Sequence, residues 1–259
     1  MSAPQSRDLK ERAKTTALGL AFFAGITFAG SFFGGQQIGA AGVQAALAEW
    51  STGTLGIAWS DPHAPPQSAK QAAIRALKGA ASALVAAGLV IALAVATHAA
   101  HVTREGVSIR ALLTALLVPV LVAVREELFF RGLVLRVLST ARREAQLAAC
   151  GLASIAAALG TSDTGLTIAQ LAIAGLTGIA FGALWMRDRG AWMAWGAHAA
   201  WLWGMQGAQT ALDAESTPWA GGNAGLGGGY VALPVVGTAT IAAVIWAFRR
   251  REPSSSRPA

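Results

Sequence analysis

Seven stretches of this chain stay apolar for about the length of a bilayer crossing: residues 16–35, 80–102, 111–131, 144–160, 165–186, 190–211 and 230–248. About 20 residues at 1.5 Å per residue cross the hydrocarbon core. Backbone groups in lipid must satisfy one another, so runs of this length fold as helices. The expected fold is all-α, a polytopic transmembrane helix bundle with 7–8 membrane segments. Composition agrees: 54% of residues are hydrophobic and 13% charged, against about 25% charged in soluble domains. The first run starts near Thr16, and no small-residue cleavage site follows a short apolar core. It reads as a retained span rather than a removed signal peptide.

The formal net charge is +7, but it does not point to nucleic acid. Basic residues gather at the ends of apolar runs, as in Arg142-Arg143, Arg187-x-Arg189 and Arg249-Arg250-Arg251. Such clusters set orientation, with the basic side cytoplasmic. Three regions follow: a cytoplasmic tail over 1–15, a membrane bundle over 16–248, and a basic cytoplasmic tail over 249–259. Both termini on one side require an even number of crossings, so Gln36 to Trp50 is expected to form a weak additional one. The alternative is seven helices, with 111–138 folded as a re-entrant hairpin at Pro119. Residues 36–79 hold a proline turn, Asp61 to Pro66, followed by a short amphipathic surface segment from Gln67 to Lys78. The glycine-rich stretch Pro218 to Gly229 cannot sustain a helix and reads as an external loop over the mouth of the bundle. The lone cysteine, Cys150, makes no intrachain disulfide.

Against this background, Glu126-Glu127-Leu128-Phe129-Phe130-Arg131 stands out. Ionisable groups at membrane depth cost about 2.5 kcal/mol or more each, so a functional reading is the default. Glu127 and Arg131 are spaced i and i+4 and can pair, which leaves Glu126 free for chemistry. A solvated salt bridge at a helix end is the bland alternative. His198 lies about 12 Å into its span at 1.5 Å per residue, a depth that matches Glu126. A histidine beside a carboxylate can orient water or shuttle a proton; a histidine simply bonded between helices is the plain reading. Trp195 and Trp201 flank it, and either packs or lines an apolar pocket. His98 and His101 have helical i, i+3 spacing but fall at the opposite end. His63 acquires no role; Ser154, Ser162 and Asp163 offer no serine-protease logic, and no Gly-x-Ser-x-Gly appears.

Arg125-Glu126-Glu127-Leu128-Phe129-Phe130-Arg131-Gly132-Leu133 resembles the first signature of the CPBP family (CAAX protease and bacteriocin-processing, also called ABI). These intramembrane proteases include the type II CAAX prenyl endopeptidases. The turn Met186 to Gly190, the following Gly196-Ala197-His198-Ala199-Ala200-Trp201 and the glycine-rich loop resemble later family features, over roughly 111–248. Two positions depart. The family's second motif, Phe-x-x-x-His, falls on a helix that here holds no histidine, with its counterpart somewhere in Ile155 to Gly160. The third motif usually has Asn or Asp four residues after its histidine, where this chain has Leu202.

The resemblance implies an endopeptidase that hydrolyses peptide bonds of membrane-associated substrates through a water activated by Glu126 and His198, with Glu127 and Arg131 in support. If the chain holds a divalent metal such as zinc, Glu126 and His198 are its ligands. Its partners would be the lipid bilayer and a membrane-associated protein or peptide substrate, and its location a bacterial plasma membrane. The two departures point equally to a non-catalytic relative that serves as a membrane scaffold, immunity factor or partner-binding protein.

Overall fold

A computed structural model describes residues 3–33, 36–60, 67–103, 109–161, 166–222 and 225–249. The Asp61–Pro66 turn with His63, as well as Ser162, Asp163, Arg250 and Arg251, lies outside the described residues. The elements in chain order are α1 (Ala3–Ser31), α2 (Gln37–Thr54), α3 (Ala69–Ala96), β1 (Ala100–Val102), α4 (Ile109–Glu127), a π-helical turn (Leu128–Leu133), α5 (Val134–Val137), α6 (Arg143–Thr161), α7 (Ile168–Asp188), α8 (Trp192–Ala211), β2 (Leu212–Ala214) and α9 (Leu233–Phe248).

The long helices run alternately up and down. At one end, Arg12 donates to Thr140 Oγ1, Arg75 pairs with Asp188, Ser60 bridges to Gly190, and Arg187 reaches the Arg249 carbonyl. At the other end β1 and β2 pair antiparallel, Ala100 opposite Ala214, and tie the end of α3 to the end of α8. Among the described residues four segments are long and apolar enough to cross a membrane: Lys10–Ser31, Ala69–Ala96, Ile168–Asp188 and Tyr230–Phe248. The protein is a helical membrane bundle. The weak segment after Gln36 is helical, as α2.

Four expectations change. The Gln67–Lys78 segment is not a separate surface helix but the first turns of α3. Ser68 and Gln71 form a reciprocal capping box that starts the helix there, satisfying backbone groups at its N-terminus. This helix stops at Ala96 rather than 102, because His98 takes a left-handed conformation with φ 57°. His98 and His101 therefore share no helix face; His101 lies in β1, and the two rings stand 6.3 Å apart. Nor does 111–138 reverse at Pro119: the chain stays helical through Pro119 and the π turn to Val137. Residues 3–15 of the polar tail are likewise the opening turns of α1.

Small residues set the packing distances. A Cβ on Gly79 of α3 would lie 2.0 Å from the Met193 carbonyl oxygen, and one on Gly196 of α8 would lie 2.0 Å from that of Ala76. These two helices touch backbone to backbone, which side chains larger than hydrogen forbid. Between α6 and α7, Gly178 and Gly182 admit Cys150 and Ser154 in the same way, so Cys150 is a packing residue. By contrast, a Cβ on Gly30 would meet only the end of the Gln44 side chain.

The glycine-rich stretch is folded rather than loose. Gly221 and Gly225 hold φ of 98° and 66°, which Cβ-bearing residues rarely adopt. The turns they allow bury Ala220, Leu226, Val231 and Ala232 in one apolar cluster with α3, α8 and α9. This stretch seals the end of the bundle opposite the basic residues.

Candidate functional site

The cluster forms where α4 gives way to the π turn. The turn is widened relative to an α-helix, a local irregularity often found at functional sites. It follows directly on Glu126 and Glu127 and carries Phe129, Phe130 and Arg131. Phe23 of α1 packs its ring against Phe129 and Phe130, at 5.5 and 5.1 Å between centroids. Gly132 faces Ile57 and Trp185 so closely that a Cβ would collide with Ile57 at 2.7 Å. Nothing in the apolar pattern of 111–138 signals the π turn.

Glu127 is fully buried at 0% exposure and meets two cations or donors. Its Oε1 lies 3.2 Å from Arg131 Nη1 and 2.8 Å from His198 Nδ1. A carboxylate only accepts hydrogen bonds, so Nδ1 carries the hydrogen. In the neutral ring the lone pair then sits on Nε2, which is 3.5 Å from Glu126 Oε2. The structure thus brings Glu126, Glu127, Arg131 and His198 into one cluster, from helices 71 residues apart in sequence. Arg131 further donates from Nη2 to Ser154 Oγ at 3.1 Å.

Glu126 differs from its neighbour in being 25% exposed. Its Oε1 is 3.1 Å from Arg125 Nη2, and Arg125 in turn donates to Gln44 Oε1 at 2.7 Å. The formal charges of Arg125, Glu126, Glu127 and Arg131 cancel, which reduces the cost of placing them at membrane depth. Phe181 of α7 completes the setting. Its ring stacks on His198 at 4.8 Å and lies 5.3 Å from the Arg131 guanidinium. Sequence reasoning singled out neither Phe181 nor the Gln44 contact. No spacing rule connects α7 or α2 to the Glu-Glu segment.

A cavity of about 200 Å³ opens beside this cluster, lined by Glu126, Arg131, Ser154 and His198 together with Phe23 and Phe130. Such a space has the room and the polar partners that water needs. Ala157 and Ala158 of α6 also line it. They fall within Ile155 to Gly160, so small apolar side chains stand where the resemblance leads one to expect a histidine. Leu202 does not line the cavity. Trp195 turns away from it: its Nε1 donates to the Val120 carbonyl at 3.1 Å, and its ring packs edge-on against Trp59. Trp201 instead lines a separate apolar cavity of about 450 Å³ between α3, α7, α8 and α9.

As a metal site the donor set is thin. Glu126 Oε2 and His198 Nε2 could both face one ion, but Glu127 is engaged by Arg131 and by the far nitrogen of the ring. Among the described residues no group of three His, Cys, Asp or Glu converges. A catalytic zinc takes three protein ligands, and these residues do not supply them.

Two glutamates, an arginine and a histidine, all but Glu126 buried, thus form one polar cluster within the helical bundle beside a cavity of about 200 Å³. Residues 106–204, which contain all four side chains, match the family described as Rce1-like: Type II CAAX prenyl endopeptidase Rce1-like. Over that segment the chain is similar to the type II CAAX prenyl endopeptidases, which supports a place in the CPBP/CAAX protease family. No curated protein and no solved structure gives a significant match to it.

Proposed function

We propose that the protein is a CPBP-type intramembrane endopeptidase in which Glu126 acts as general base. The observation that carries this reading is the 3.5 Å approach of Glu126 Oε2 to His198 Nε2 at the wall of a cavity of about 200 Å³. With the ring hydrogen on Nδ1 both facing atoms are acceptors, so the two can share one water that donates to each. A water held between the two groups gives a proton to Glu126 as its oxygen attacks the scissile carbonyl carbon. The carbonyl oxygen takes the negative charge, with the Arg131 guanidinium on the cavity wall as the nearby countercharge. Collapse breaks the C–N bond, and the proton returns from Glu126 to the leaving amine. Glu127 holds His198 in one tautomer, so that Nε2 accepts the second hydrogen of the water. Both termini are cytoplasmic in this reading, because the basic end of the bundle carries them.

The experiment is cleavage of membrane-embedded peptide substrates by the purified chain, comparing wild type with Glu126→Gln. General base catalysis contributes about 10²–10⁴-fold, so the variant should retain 1% or less of the rate, as an order of magnitude from that range. A second reading, that of a non-catalytic membrane scaffold, is favoured by Ala157 and Ala158 at the cavity wall and by Leu202. Turnover by neither protein would put the scaffold reading first, and equal turnover by both would remove Glu126 as the general base.

A further inference from the structure

A second polar cavity, of about 520 Å³, lies at the basic end of the bundle and plays no part in the peptidase reading. Three arginines from three elements converge on it: Arg136 of α5, Arg143 at the start of α6, and Arg189 just after α7. Arg189 holds a left-handed backbone with φ 54°, a conformation uncommon for residues with a Cβ. Gln146 lines the wall, and Trp185 and Gly132 form part of the floor.

Among the described residues the charged groups that line this cavity are all basic, and no Asp or Glu lines it. The neighbouring Asp188 is not among the lining residues; one of its carboxylate oxygens is 3.1 Å from Arg75 Nη1 and the other accepts from the Met193 amide. Among the described residues Arg136 and Arg143 form no ion pair. The α6 N-terminus adds positive potential beside Arg143. Topology signalling requires basic residues near helix ends, but it does not require three of them around one concave space.

We infer that this cavity binds a phosphate-bearing anion. Guanidinium groups match phosphate oxygens with paired N–H donors. The cavity's position among helix ends and its partly apolar wall of Ile57, Leu135 and Trp185 suit the headgroup of an anionic phospholipid, with its glycerol and upper chain against that wall. Basic pockets between membrane helices on the cytoplasmic side take such headgroups. Inorganic phosphate offers the same oxygens without the apolar part. The inference is independent of any peptidase activity.

The test uses the full chain purified in a neutral detergent. Its unfolding temperature is measured with phosphatidylglycerol, with phosphatidylcholine at the same mole fraction, and with millimolar inorganic phosphate alone. Retained lipid is counted by native mass spectrometry. Two charge-matched variants are compared: R136Q/R143Q/R189Q in the cavity and K10Q/K14Q/R142Q on the exposed surface. The expected result is stabilisation and lipid retention with phosphatidylglycerol in the wild type and the surface variant, both lost in the cavity variant. If inorganic phosphate alone gives the same cavity-dependent shift, the site stands and its ligand is a soluble phosphate. Equal phosphatidylglycerol retention by the two variants, or no preference over phosphatidylcholine in the wild type, overturns the inference. Should the triple cavity variant fail to fold, the lipid count on Arg136→Gln decides in the same way.

Discussion

His198 is bound more closely by Glu127 than by Glu126: Nδ1 stands 2.8 Å from Glu127 Oε1, and Nε2 stands 3.5 Å from Glu126 Oε2. The fully buried carboxylate therefore orients the ring, and the partly exposed one shares its free nitrogen with the cavity. The two adjacent glutamates should respond differently to substitution. Glu127→Ala removes the partner of both Arg131 and His198 and should lower the unfolding temperature in detergent sharply. Glu126→Ala should leave stability close to wild type, because Glu126 already meets solvent. Matched thermal unfolding of the two variants checks this. Equal losses would mean that both carboxylates are structural.

Arg131 is the cation that balances Glu127, at 2% side-chain exposure. Removing one partner of a buried pair costs about 3–5 kcal/mol. Arg131→Ala should accordingly reduce the yield of folded protein. Arg131→Lys should recover only part of it, since an ammonium cannot both reach Ser154 Oγ and lie flat beside Phe181. The yield of monodisperse protein in the same detergent is the measurement. A fully stable Arg131→Ala variant would show that the pair is not buried in the membrane-embedded chain.

Metal content follows from the donor set. With Glu126 and His198 as the two available ligands, zinc in the purified chain should fall well below one per molecule by elemental analysis. Placing histidine at Ala157 or Ala158 adds a third nitrogen or oxygen donor at the same cavity. One of these variants should raise zinc occupancy, because affinity grows steeply as the ligand shell fills. Stoichiometric zinc in the wild type would reveal a ligand outside this cluster.

Helix contact between α3 and α8 provides a prediction far from the chemistry. Gly79→Ala and Gly196→Ala each force a methyl group onto a backbone carbonyl at 2.0 Å. Overpacking of this kind costs about 1–3 kcal/mol, more where backbone must move. Gly88→Ala, in the same α3, meets nothing within 4 Å and should be neutral or up to about 1 kcal/mol stabilising. Unfolding temperatures of the three variants separate the contact from a general intolerance of α3.

The sequence by itself determined the membrane class and the existence and order of the long helices, and it singled out Glu126, Glu127, Arg131 and His198. Those features are written in local terms: apolar length, charge at helix ends, and ionisable groups where lipid disfavours them. The Glu127–Arg131 pair was legible because i, i+4 spacing is a property of one helix. Only the tertiary structure decided which glutamate holds the histidine, because that choice depends on how α4 and α8 rotate against each other. It also decided that α3 begins at Ala69 and ends at Ala96, where a capping box and a left-handed His98 outweigh the apolar pattern. The π turn, the stacking of Phe181 on His198 and the convergence of Arg136, Arg143 and Arg189 lay beyond local reading for the same reason. Each depends on packing between segments distant in the chain, which periodicity along a single helix does not encode.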